Sequence, residues 1–143
     1  MNAVELLFEA AAYYARRGMT LLDAINALYD EFGYYQIGLS SYTYEGESGM
    51  AKMASLMDSL RKDPPTEIAG LEVTETIDYA QGIGDLPKAN VLRFNLKGGS
   101  KAMARPSGTE PKIKFYYSAK APTVEEADQL AKAMKIAGDA LMK

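Results

Sequence analysis

The chain has 143 residues and a formal charge of −3 at pH 7, and it contains neither cysteine nor histidine. Without cysteine there are no disulfides, thiolate metal sites or cysteine nucleophile. Without histidine the commonest general base and metal ligand are gone, and with them a serine-histidine-aspartate triad.

The length suits one domain with an extra segment. The first expected helix carries Val4, Leu7, Phe8, Ala11, Ala12 and Ala15 at helical spacing, and Gly18 stops it after Arg16 and Arg17. Thr20 then caps a second helix, with Asp23 in the capping-box position and Gly33 at its end. Its expected buried face is Leu21, Ile25, Leu28, Tyr29 and Phe32. Two short helices cannot close a core alone, so residues 1–33 read as the tail of something larger and 34–143 as the main domain.

From Tyr34 to Thr43 the residues alternate as a strand does. A third helix is built on Met50, Met53, Ala54, Leu56, Met57 and Leu60, and Pro64-Pro65 stops it. Leu71 to Tyr79 alternates again, with Leu71, Val73, Ile77 and Tyr79 on one face. Residues 81–88 form a loop, Val91 to Leu96 a strand, and Lys97-Gly98-Gly99-Ser100 a hairpin turn. Strands follow from Lys101 to Ala104 and from Lys112 to Ser118. Thr123, with Glu126 three residues on, caps a last helix whose inner face is Ala127, Leu130, Ala131, Met134, Ala137 and Leu141. The expected class is α+β: a largely antiparallel sheet of four to five strands, helices on one face, preceded by two helices.

The chemistry concentrates between the last two strands, in Arg105-Pro106-Ser107-Gly108-Thr109-Glu110-Pro111-Lys112-Ile113-Lys114. In an acidic chain, residues 97–114 hold five cations (Lys97, Lys101, Arg105, Lys112, Lys114) against Glu110 alone. Such focusing draws anions to one site. Arginine grips phosphate through a bidentate fork, and a glycine lets the backbone approach and donate. In an extended loop the Ser107 and Thr109 hydroxyls would share a side, and alternation puts Lys112 and Lys114 on one face. Turn residues of this type also occur with no ligand, but the full set reads as a seat for phosphate. It offers no base that would make Ser107 a nucleophile.

Arg105 to Lys114 resembles the phosphate-binding loop in the last domain of the α-D-phosphohexomutases, the phosphoglucomutase and phosphomannomutase superfamily. Tyr44-Glu45-Gly46-Glu47-Ser48-Gly49-Met50, the helix ending at Arg61, Pro64-Pro65 and Asn90-Val91-Leu92-Arg93-Phe94 resemble the same domain in the phosphoglucomutase branch, while Thr20 to Tyr35 resembles the close of the third domain. The resemblance implies a TATA-box-binding-protein-like fourth domain (34–143) behind the helical tail of the third (1–33). It implies that Arg105, Ser107, Gly108, Thr109 and Lys114 hold the phosphate that is not being transferred, with Lys112 the weaker candidate. The parent would interconvert hexose 1-phosphate and hexose 6-phosphate, of glucose or mannose, through a phosphoserine and glucose 1,6-bisphosphate, assisted by Mg²⁺. The reactive serine and the metal loop belong to domains not identifiable here. The chain alone is therefore expected to be inactive, with no catalytic residue, no metal ligand and no bound cofactor, and with the three other domains as partners.

Gly46-Glu47-Ser48-Gly49 reads as a helix entry rather than a sugar-binding loop, because it follows the two leading helices. Lys97 to Lys101 lacks Walker spacing. The rival to the mutase reading is a non-catalytic module for a phosphorylated metabolite or a nucleic-acid backbone. The acidic balance argues against nucleic acid. No apolar run reaches the ~20 residues of a membrane span, and Met1 to Glu5 lacks a signal-peptide start, so the expected setting is the cytoplasm with no membrane partner.

Overall fold

A computed structural model describes residues 2–143. It divides into two compact units, one ending at Tyr34 and the other beginning at Tyr35.

The first unit holds α1 (Asn2–Ala15) and α2 (Leu21–Phe32). The capping box forms: Asp23 N–H donates to Thr20 Oγ1 at 3.1 Å and Thr20 N–H donates to Asp23 Oδ2 at 2.8 Å. These bonds hold the Asp23 carboxyl below its ordinary pKa. At the other end the Gly33 N–H closes on the Tyr29 carbonyl. The expected buried face of α2 is not buried. Only Ala24 is, while Ile25, Leu28 and Phe32 are exposed, as are Val4, Leu7 and Phe8 on α1. Periodicity locates an apolar stripe, but a second short helix is too little surface to cover it.

The second unit is a six-stranded sheet in the order β1-β6-β5-β4-β3-β2, with α3 (Gly49–Lys62) and α4 (Val124–Leu141). Its strands are β1 (Tyr34–Thr43), β2 (Glu67–Ile68), β3 (Leu71–Asp78), β4 (Leu92–Leu96), β5 (Lys101–Pro106) and β6 (Lys112–Ala121). The pairs from β2 to β6 are all antiparallel. Along the edge, Tyr44 N–H donates to Pro111 O at 2.8 Å and Lys120 Nζ stands 5.3 Å over the Tyr35 ring, so β1 runs against β6. The α+β class and the antiparallel sheet hold. The sheet exceeds the expected four to five strands because β2, at two residues, is too short for alternation to reveal.

One sheet face is dry. Leu92, Phe94 and Leu96 of β4, Ala102 and Ala104 of β5, and Ile113, Phe115, Tyr117 and Ala119 of β6 are buried together with Met53, Met57 and Leu60 of α3 and Ala131 and Met134 of α4. Alanines on the middle strand leave room for larger neighbours on both sides. Gly138 belongs to the same fit, since a Cβ there would lie 2.6 Å from the Phe115 ring. The Tyr42 hydroxyl donates to Asp139 Oδ1 at 2.7 Å, tying β1 to α4. Burial first, and then that bond to a carboxylate, push the Tyr42 phenol up to about 12.

The alternation expected for β3 breaks at a bulge between Val73 and Glu75. Val73 pairs with Leu96 on the core face, whereas Ile77 pairs with Arg93 and so faces the other way. Leu71 and Val73 pack on the core and Ile77 does not. The opposite, open face presents Arg93 and Asn95 of β4, Lys101, Met103 and Arg105 of β5, and Lys112, Lys114 and Tyr116 of β6, by strand alternation.

Candidate functional site

The β5–β6 hairpin carries the cationic loop. Arg105 pairs with Lys114 and Pro106 with Ile113, and the last rung is a 2.8 Å bond from Ser107 N–H to Lys112 O. Ile113 is fully buried, which fixes the register, so Lys114 is held on the open face directly opposite Arg105. Like charges placed directly opposite each other weaken a sheet. Neither side chain has an ion-pair partner among the described residues.

Between them opens a cleft of about 180 Å³ lined by Arg105, Pro106, Ser107, Gly108 and Lys114. Four of the five expected ligands are thus brought together. Thr109 is not in the lining. The expectation of an extended loop fails, and the reason is local. Ser107 Oγ accepts long bonds from the Thr109 N–H (3.4 Å) and the Glu110 N–H (3.3 Å), which curl the loop into a serine turn. Bound in this way as an acceptor, the Ser107 hydroxyl still has its own proton to donate. The Gly108 N–H makes no hydrogen bond among the described residues. A Cβ on Gly108 would meet nothing within 4 Å, so that position is open space at the cleft wall.

The charge excess read from the sequence is partly cancelled. Lys97 Nζ lies 3.6 Å from Glu72 and Lys112 Nζ lies 3.2 Å from Glu110. Lys101, Arg105 and Lys114 stay unpaired among the described residues. Of the two lysines that share a face, Lys114 lines the cleft and Lys112 does not.

Two supports escaped the sequence reading. Gly49, the first residue of α3, is buried against Tyr44 and Pro111. A Cβ there would stand 2.1 Å from Tyr44 O and 3.0 Å from Pro111 Cβ. With the Tyr44 to Pro111 bond, this clamps the trailing end of the loop to the start of a helix far away in sequence. Ser48 sits at the helix entry as expected but makes no side-chain cap. Among the described residues no cluster of three or more acidic side chains could hold a metal ion, and no helix is long and apolar enough to cross a membrane.

The chain is 40% identical over 130 residues to a probable phosphomannomutase of Haemophilus influenzae, a match that takes in 91% of this chain and 26% of that protein. It is 36% identical over 140 residues to a phosphoglucomutase of Staphylococcus haemolyticus, covering 90% of the chain and 25% of the relative. Over nine tenths of its own length the chain thus resembles about a quarter of proteins named phosphomannomutase and phosphoglucomutase. A Staphylococcus aureus phosphoglucomutase is 37% identical over 145 residues, and the chain again spans only about a quarter of the mutase, 26%. The fold also matches part of a solved Paramecium phosphoglucomutase, pp63/parafusin in its open form. There the TM-score is 0.59 at 20% identity, over 85% of this chain and 22% of that mutase. No family model matches the chain.

Proposed function

We propose that residues 34–143 are the fourth, C-terminal domain of a phosphohexomutase, that residues 1–33 are the helical tail of its third, and that the cleft holds the substrate phosphate that is not being transferred. One observation carries this reading: Arg105 and Lys114 stand opposite each other, unpaired, across a cleft whose remaining wall is loop backbone and a hydroxyl. A doubly charged oxyanion supplies the missing counter-charge. Arg105 donates a fork of N–H groups, Lys114 a point charge, and Ser107 Oγ–H and Gly108 N–H one bond each. Thr109 contributes by holding the serine turn.

Gripping a phosphate remote from the reacting one converts binding energy into orientation of the sugar. The parent then interconverts hexose 1- and 6-phosphates of glucose or mannose through a phosphoserine and a bisphosphate, in the cytoplasm. Mg²⁺ would assist the phosphoserine in the parent. The described residues hold no acidic cluster to bind it, so no step through the metal is assigned to this chain. The chain alone does not turn over.

The test is Arg105→Ala in the full-length enzyme. Loss of a charge-assisted contact, about 1.5–3 kcal/mol, lowers kcat/KM about 10- to 100-fold with the fold intact. Unchanged turnover would overturn the assignment. A nucleic-acid module would instead bind oligonucleotide with a steep salt dependence.

A further inference from the structure

Lys112 is the loop cation that the phosphate cleft does not use. It lies on β6 two residues before Lys114 and on the same face, about 7 Å away along the strand. Its ammonium pairs with Glu110, the only carboxylate between Lys97 and Lys114.

Glu110 is pinned by its backbone. Its N–H donates to Ser107 Oγ, and its carbonyl accepts from Lys112 N–H at 2.7 Å. The side chain alone is free to choose a partner. A glutamate reaches about 5 Å from its Cα, and Ser107, whose Oγ lies 3.3 Å from the Glu110 nitrogen, lines the cleft. The carboxylate sits on Lys112 at 3.2 Å; released from it, the unpaired Arg105 and Lys114 of the adjoining cleft would be its alternative partners. A carboxylate satisfies a guanidinium by the same fork geometry as phosphate. A released Glu110 would compete with phosphate for the site.

We propose that Lys112 is a positioning residue: it holds the Glu110 carboxylate away from the cleft and so keeps the Arg105 and Lys114 charges available for phosphate. The inference rests on the phosphate-binding reading above. It separates the two lysines by role, Lys114 touching the anion and Lys112 restraining its rival.

The test is a double-mutant cycle on this 143-residue chain, read by amide shifts around Gly108 during titration with inorganic phosphate. Lys112→Ala should weaken phosphate about fivefold or more, Lys112→Arg should bind as the unaltered chain does, and Glu110→Gln should bind at least as tightly. The deciding variant is the pair Lys112→Ala with Glu110→Gln, which should match Glu110→Gln within about twofold. An equal loss from Lys112→Ala in both backgrounds would make Lys112 a direct phosphate contact and overturn the proposal, as would no loss in either. Absence of phosphate binding by the unaltered chain would instead bring down the phosphate-site reading itself, so the two failures are distinct.

Discussion

Replacing Lys114 by glutamine should move stability and binding in opposite directions. Arg105 and Lys114 are cross-strand partners on an exposed face. At a separation of about 6 Å, two like charges in water repel by roughly 0.7 kcal/mol, and salt screens much of that. For a chain of this size 1 kcal/mol corresponds to about 3–4 °C in Tm. Lys114→Gln should therefore raise Tm by up to about 3 °C in low-salt, phosphate-free buffer, and the gain should fade at high salt. Phosphate reverses the order. At ten times its Kd a ligand stabilises the native state by about 1.4 kcal/mol, and a tenfold weaker site at the same concentration gains only about 0.4 kcal/mol. Thermal unfolding followed by circular dichroism, with and without phosphate at two salt concentrations, reads all four quantities. The reasoning is refuted if Lys114→Gln is less stable without phosphate, or if phosphate protects both proteins equally.

Gly108→Ala should leave Tm unchanged, because its Cβ enters open space, yet weaken phosphate by crowding the cleft; a drop in Tm with normal binding would contradict this. Gly138→Ala should destabilise by about 1–3 kcal/mol in urea unfolding, since a Cβ 2.6 Å from the buried Phe115 ring outweighs the roughly 1 kcal/mol that alanine gains in a helix. Burial of Tyr42, and then its bond to Asp139, set two pH limits. The raised phenol contributes stability that is complete below about pH 10 and is lost as pH climbs through about 12. Asp139 is shifted the other way, first by that same bond, so its contribution is complete above its ordinary pKa and is lost as pH falls through its lowered value. Asp139→Asn should bring Tyr42 ionisation, followed by ultraviolet absorbance, back toward the ordinary tyrosine range.

What the sequence made legible was local. Thr20 with Asp23 and Thr123 with Glu126 announce helix starts, and in both the cap side chain accepts the expected backbone N–H. Strict alternation in β4 and β6 identifies their buried faces, since each position depends only on its neighbours. What stayed hidden depends on distant partners or on a single inserted residue. The β3 bulge turns Ile77 to the face opposite Val73, and no composition signal marks it. The stripe on α2 is visible, but nothing in its period says whether a second surface covers it. At the site, the residue types led to the expectation of an anion seat, and four of the five residues expected to form it line one cleft. The curl of the loop onto Ser107, the Gly49 to Pro111 clamp and the pairing of Lys112 with Glu110 depend on the three-dimensional fold.

The central claim is that the cleft beside Gly108 is preorganised for phosphate. The most direct measurement is a phosphate titration of the isotopically labelled chain, comparing the unaltered protein with Arg105→Ala. Saturable shifts at Gly108 and its neighbours, abolished by that substitution while the rest of the spectrum is unchanged, are the expected result. Shifts spread over every exposed lysine, or identical titrations in both proteins, would contradict it.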